Sequence, residues 1–235
     1  RENLRLKGVV SEMKKWIGRF ACFLIVCVFS LCLYLTISGY LMYCDALRGI
    51  SLSDKVTEIR SRDNYTTLDE LPEIYLRAVI AVEDHRFYRH KGIDIIAIGR
   101  ALWTDIKAMS FVEGGSTITQ QLAKNLYFTQ DKDIRRKIAE MFMAFHIEKN
   151  YEKDDILELY VNTIYFGNGY YCVHDASLGY FGKLPKDMTD YESTLLAGIP
   201  NAPSIYALTN NPELAKERQR QVLNKMINHG LLTVE

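Results

Sequence analysis

Gly114-Gly115-Ser116-Thr117-Ile118-Thr119-Gln120-Gln121-Leu122-Ala123-Lys124-Asn125 runs two adjacent glycines straight into a helix start. Thr117 and Gln120 have capping-box spacing, which predicts a helix from there to about Phe128. Paired glycines let backbone approach a ligand closely, and the helix N-terminus behind them offers N–H groups and partial positive charge to an anion. Ser116 and Thr117 add hydroxyl donors. Spacings of three and four residues place Thr117, Gln121 and Lys124 on one face, and Ile118, Leu122 and Leu126 on another. An anion site fits this pattern; so does a capped surface helix with an exposed lysine.

The flanking segments separate these readings. Downstream, Asp133 can cap a helix running to about Asn150, with Ile134, Ile138, Met141 and Phe145 as its core stripe and Arg136, Lys137 and Glu140 clustered opposite. Met143, Ala144 and Ile147 continue that opposite side, so Glu140 is expected to be covered beside two cations, a costly arrangement to keep for stability alone. Upstream, Glu83 and Asp84 end a predicted helix, where the backbone dipole disfavours negative charge. Arg86, Arg89, His90 or Lys91 could neutralise them. Two carboxylates with a cationic and amide cluster suit displacement of a diphosphate from a sugar's anomeric carbon, which needs a base for the attacking hydroxyl and positive charge for the departing oxygens. Hydrolysis of a neutral glycoside needs no such cations.

Further out, helical signals follow one another with no convincing alternation of period two. Asp69 can cap a helix presenting Leu71, Ile74, Tyr75, Ala78 and Val82 on one face, with Pro72 in its first turn. Residues 94–109 fit an amphipathic helix striped by Ile95, Ile98, Leu102 and Ile106, and the loop Ser110–Gly115 follows. Asp154 or Asp155 can cap another helix, to about Tyr165, stopped by Phe166-Gly167-Asn168-Gly169. Thr189 with Glu192 opens one that Gly198 and Pro200 end; Asn211-Pro212-Glu213 opens the last, closed by Gly230. With 235 residues, 48% of them apolar, the chain can bury one substantial core. The expected fold class is mainly α.

The formal net charge is zero, yet residues 1–19 hold six basic and two acidic residues, leaving the remainder acidic. A nucleic-acid partner is therefore disfavoured. Phe20 to Cys44 contains no charged residue and is long enough to cross a bilayer as a helix, whereas a cleaved signal has a shorter apolar region of roughly 7–15 residues. The basic residues before it (Arg1, Arg5, Lys7, Lys14, Lys15 and Arg19) orient it with the N-terminus cytoplasmic and everything after Cys44 outside. The expected organisation is a cytoplasmic tail over 1–19, a transmembrane helix over 20–44, a stalk over 45–67 and a globular domain over 68–235. Four of the five cysteines (Cys22, Cys27, Cys32, Cys44) fall in or at the end of the span and only Cys172 beyond it, so all five read as apolar filler; no disulfide framework, zinc site or dedicated metal site follows.

Five ordered motifs then carry a resemblance: Glu83-Asp84-His85-Arg86-Phe87-Tyr88-Arg89-His90-Lys91-Gly92; Gly114 to Asn125; Arg136-Lys137-Ile138-Ala139-Glu140; Glu158 to Gly167; and Leu195 to Ser204. Together they resemble the peptidoglycan glycosyltransferases, family 51, found as single-function enzymes and as a domain of class A penicillin-binding proteins. The resemblance implies a lysozyme-like, mostly helical glycosyltransferase domain behind one transmembrane helix, at the outer face of the bacterial cytoplasmic membrane. It implies as substrates lipid II and the growing glycan still on its lipid diphosphate, joined by inversion into β-1,4-linked strands, with membrane lipid and proteins of wall synthesis or division as further partners. Carried onto this chain, Glu83 is the general base and Glu140 assists at the donor side. Ser116, Gln121, Lys124, Arg136 and Lys137 hold diphosphate and sugar groups, and Asn162 shapes the cleft. No cofactor is required, although a divalent cation such as Mg could bridge the diphosphate. Cys172-Val173-His174-Asp175 departs from the family's usual glycine-containing pattern, which puts the local turn in doubt.

Ser11-Glu12-Met13-Lys14 matches a transpeptidase nucleophile motif by accident, before the span, and Lys-Thr-Gly is absent. Because the chain starts at Arg1 and not Met, it is open to being part of something longer. A lysozyme-like muramidase and a non-catalytic membrane scaffold are the alternatives; the first leaves Lys124, Arg136 and Lys137 without a task, and the second leaves both glutamates without one.

Overall fold

The computed structural model describes residues 2–109, 114–129, 131 and 133–232, with side chains from residue 13 onward. Ser110 to Glu113 of the expected loop, and the side chains of Arg1, Arg5 and Lys7, lie outside these. Among the described residues there is no β-strand, only the isolated bridge between Lys91 and Ile93. The fold is mainly α, as the patterning requires.

The first helix, α1, runs unbroken over Glu2–Gly49. Its Met13–Gly49 portion holds an exposed apolar stretch, and is the one helix among the described residues long and apolar enough to cross a membrane. The helix outlasts the expected span because nothing between Cys44 and Gly49 breaks it. Its last turns pack on α6 (Ile134–Asn150). Gly39 makes that approach possible: a Cβ there would stand 2.6 Å from Ile138 Cγ2 and 2.9 Å from the Arg135 carbonyl oxygen. Tyr40 and Tyr43 then flank Phe142, and Tyr43 Oη lies 3.1 Å from His146 Nδ1.

The expected stalk is not a stalk over its central part. Ser51 caps α2 (Leu52–Arg60), whose Leu52, Val56 and Ile59 enter the core. These residues recur at helical spacing, but the polar residues between them mask the stripe. The next helix also starts later than expected. Leu68–Glu70 forms a single 3-10 turn, and Pro72 is the N-cap of α3 (Glu73–Glu83). A proline supplies no N–H, so it is tolerated at this boundary.

Around α3 the core closes. It packs on α9 (Asp190–Gly198) and α11 (Pro212–Asn228), while α5 (Ile118–Tyr127) packs on α6 and on α7 (Lys153–Val161). Tyr75, Phe87, Ile118, Leu122, Met143, Ile147, Leu157 and Tyr160 are fully buried at these contacts. Each such side chain contributes about 1.5–3 kcal/mol relative to exposure.

Two stripes do not face where expected. On α6 the covered side is Ala139, Glu140, Met143, Ala144 and Ile147, whereas Ile134 is 66% and Phe145 49% exposed and Ile138 meets α1. On α4 (Ile95–Ala108), capped by Asp94, only Ala101 is buried; Ile95, Leu102, Trp103 and Ile106 stand 60–80% exposed. Between α7 and α9, α8 (Val173–Phe181) begins at Cys172, whose Sγ accepts from the Asp175 N–H at 3.4 Å. Asp175 in turn holds Asn64 Nδ2 at 2.9 Å. The departing segment thus makes its own cap, and Cys172 is a capping group rather than filler. Burial pushes its thiol up to about 11.

Candidate active site

Residue 83 is the last of α3 and residue 84 its C-cap, so two adjacent acids meet the end of one helix and separate there. Asp84 turns inward. Its carboxylate accepts from the Ile118 N–H at 3.1 Å and lies 2.9 Å from His90 Nε2. Asp84 therefore fills the N-terminus of α5 that was expected to offer N–H groups to an anion. Thr117 closes the same turn: its hydroxyl donates to the Gly92 carbonyl at 2.6 Å and accepts from the Gln120 N–H, while Gln120 Oε1 accepts from the Thr117 N–H. The protein supplies its own anion here, and Thr117 is a clamp rather than a donor to ligand.

Glu83 turns outward, into a cleft of about 510 Å³ lined also by His85, Arg100, Gly114, Ser116, Gln121, Lys124, Pro200, Asn201, Arg218, Lys225 and His229. Gln121 Nε2 donates to Glu83 Oε2 at 2.7 Å. Tyr160 steadies the amide by donating to its Oε1 at 3.3 Å. Glu83 Oε1 has no hydrogen-bond partner among the described residues. None of the four basic residues expected to neutralise this corner reaches Glu83 in a described ion pair: Arg86 pairs with Asp94 at 2.9 Å, and His90 with Asp84.

One turn of α6 forms the adjoining cluster. Glu140 is 1% exposed and sits between Lys137 at 3.0 Å and Arg136 at 3.3 Å. Lys137 Nζ also donates to Ser116 Oγ at 2.7 Å, tying α6 to the glycine segment at the cleft's edge. Arg136 is anchored further by donating to the Thr129 carbonyl at 2.8 Å. Lys124 lies within electrostatic range of Glu140, Lys137, Arg136 and Glu83, and burial holds its ammonium below the ordinary lysine value.

Seven of the eight residues marked in the sequence thus gather in or against one cleft. Asn162 does not. It is 2% exposed, accepts from the Thr66 N–H, and donates to the Thr66 and Glu158 carbonyls. Asparagine has the two-sided amide needed to bracket a backbone strand, and that use leaves nothing for substrate. The rest of the cleft lining was not marked: Arg100 comes from α4, Arg218 and Lys225 from α11, and His85 and His229 from the ends of α3 and α11. Only the regular basic spacing of Arg218 and Lys225, two helical turns apart, could have pointed to it.

The family model described as transglycosylase matches residues 52–227. The chain belongs to the transglycosylase family. This is the family of peptidoglycan glycosyltransferases that the five motifs resemble. The matched region begins at Leu52, where α2 begins. Curated relatives include penicillin-binding protein 1F of Bacillus subtilis (strain 168), 47% identical over 169 residues, covering 72% of this chain and 24% of the relative. Penicillin-binding protein 1A of Neisseria gonorrhoeae is 44% identical over 174 residues, with 74% and 22% covered. Penicillin-binding protein 1A of Aquifex aeolicus (strain VF5) is 44% identical over 171 residues, with 73% and 24% covered. The chain spans about a quarter of the length of the curated relatives it matches.

Proposed function

We propose that this chain polymerises lipid II into β-1,4-linked glycan, transferring a growing strand from its undecaprenyl diphosphate to the 4-hydroxyl of an incoming lipid II. The observation that carries this reading is the contrast around one cleft: Glu83 is held by the neutral amide of Gln121 and by no described ion pair, with a cation cluster adjoining it that Glu140 holds. Glu83 removes the proton of the attacking hydroxyl as the O–C bond forms at the donor's anomeric carbon, and the diphosphate leaves with the electron pair of the broken C–O bond. Lys124, Lys137, Arg136 and Ser116 receive the charge that develops on its oxygens. Glu140 holds Arg136 and Lys137 in place. Single displacement gives inversion and needs no covalent enzyme intermediate.

Among the described residues no group of three or more metal-ligating side chains converges, and Asp84 and Glu140 are engaged with His90 and the cations. A divalent cation such as Mg would be held by the diphosphate itself, and no step above is routed through one. The basic residues before the span support a cytoplasmic N-terminus and a domain on the outer face of the bacterial cytoplasmic membrane. The exposed apolar face of α4, with Trp103 at 71%, suits contact with lipid on that side.

Purified protein incubated with lipid II, its products separated on a gel, tests the reading. Long glycan supports it. Release of short fragments from finished cell wall would mean a muramidase, and unchanged substrate and wall would mean a scaffold.

A further inference from the structure

Away from the cleft, one carboxylate joins four segments of the fold. Glu148, near the end of α6, does not line the cleft; it borders a separate cavity of about 390 Å³ together with His90 and Lys153. Its side chain is 7% exposed. One oxygen, Oε1, accepts twice: from the Thr119 hydroxyl at 2.6 Å and from Lys153 Nζ at 2.6 Å. The Lys153 ammonium also stands over the Phe87 ring, 4.3 Å from its centroid. Thr119 and Phe87 are both wholly buried.

Each partner sits on a segment that also bears part of the site. Thr119 precedes Gln121 by two residues on α5, Lys153 precedes Tyr160 by seven on α7, Phe87 follows Glu83 by four, and Glu148 follows Glu140 by eight on α6. The Gln121 amide, steadied by Tyr160, is what holds Glu83. The first turn of α5 is fixed by Asp84 on the Ile118 N–H, by the Thr117 hydroxyl on the Gly92 carbonyl, and by Glu148 on the Thr119 hydroxyl. The first two tie it to the segment that carries Glu83. The third ties it to α6 and, through Lys153, to α7. A buried ion pair adds little net stability over apolar side chains of similar volume. What it adds here is a fixed direction for Oε1.

Resting on the proposed lipid II reaction, we propose that Glu148 and Thr119 are positioning residues for glycan transfer: the tether between them sets the rotation of α5, and with it the place of the Gln121 amide against Glu83. Neither residue touches substrate. Without the tether Gln121 stays in the cleft but drifts from Glu83, and the base loses its aim at the attacking hydroxyl. A misplacement of about 1 Å is enough to cost up to about a hundredfold in rate. Binding is largely spared, because Ser116, Arg136 and Lys137 lie outside α5 and the flexible Lys124 side chain can follow a small shift.

Steady-state polymerisation of lipid II by the full chain tests this. Thr119→Val, close in volume and lacking the hydroxyl, is expected to lower kcat roughly tenfold with KM within about twofold of wild type. Thr119→Ser keeps the hydroxyl and the rate; should Thr119→Val fold poorly, Thr119→Ala takes its place in the comparison. Glu148→Gln keeps the accepting oxygen and gives up the charge, so its rate holds near wild type even as its thermal midpoint falls, whereas Glu148→Leu loses rate as Thr119→Val does. In a Gln121→Ala background Thr119→Val has no further effect, since the tether acts through that amide. The same fold loss in both backgrounds, or a Glu148→Gln loss as deep as that of Glu148→Leu, would overturn the inference. A Thr119→Val protein that polymerises as fast as wild type would remove the tether alone. Wild-type chain that makes no glycan would remove the lipid II reading alone; the tether is then read by NMR from the Gln121 side-chain amide, whose signals move in Thr119→Val and stay in Thr119→Ser, and unmoved signals refute it.

Discussion

Glu83 and Glu140 are the same residue type beside the same cleft, and their surroundings differ in kind. Glu140 is sealed from solvent and held by a lysine and an arginine one turn of helix back. Glu83 is half-buried and held by one neutral amide, with no described ion pair; each acid has one oxygen without a hydrogen bond among the described residues, and that of Glu140 lies 3.3 Å from Arg136. A carboxylate locked between cations is poorly placed to accept a proton, because losing its charge would strand theirs. A carboxylate with no cation on it can accept one. On the proposed reading the pair divides the work into proton transfer and electrostatic holding, and the division comes from their neighbours.

That division can be broken first at Glu83. Replacing it with Gln is expected to lower the rate of glycan formation by about 10³-fold, roughly 4 kcal/mol, with the thermal midpoint nearly unchanged. A fall in midpoint comparable to that of a core variant would mean Glu83 is structural. Glu140→Gln should behave in the opposite proportion: about 3 kcal/mol less stable by denaturant unfolding, with a smaller loss of rate, because it leaves Arg136 and Lys137 facing each other. Equal effects of the two substitutions on stability would erase the comparison. Asn162→Ala should cost about 2 kcal/mol of stability, since Thr66 loses both backbone partners, while leaving the KM for lipid II unchanged.

Lys124 sharpens the comparison with the smallest effect and an unusual sign. Burial lowers its pKa in the folded protein, so the unfolded chain binds that proton more tightly. The resulting penalty is fully present below the folded value and fades as pH rises through the ordinary lysine range. Lys124→Met is accordingly expected to stabilise the protein slightly near neutral pH, by about 0.5–1 kcal/mol, and to weaken binding of lipid diphosphates. A lower midpoint in the variant would show that Lys124 is held for the fold and not for a ligand.

Helix starts were legible at three capping signals and missed at Ser51, whose cap opens α2 inside the expected stalk. Thr117 with Gln120, Asp133, and Thr189 with Glu192 each begin a helix where the spacing put it. Direction was less legible. The stripes of α4 and α6 were readable as stripes, but periodicity does not say what covers the apolar side, and Ile95, Leu102 and Ile106 stay exposed outside the core. Cys172 was missed as a cap because a thiol is a weak acceptor. At the site, the residues on contiguous motifs were found together, whereas Arg100, Arg218, Lys225 and His229 come from α4 and the end of the chain, segments that only tertiary packing brings to the same cleft. Asn162 was misread for a related reason: a motif shows that a residue is there, and only its partners show what it holds.

The missing side chain at Gly39 has a consequence for distance. The 48-residue α1 is about 72 Å long at helical rise and is seated without clearance on the helix that carries Glu140. On the proposed reading, rod and cleft would act as one gauge, setting the height above the headgroups at which a lipid-borne sugar meets Glu83. Any bulk added at residue 39 would act as a shim under that gauge, tilting the cleft relative to the bilayer from which its substrate must rise.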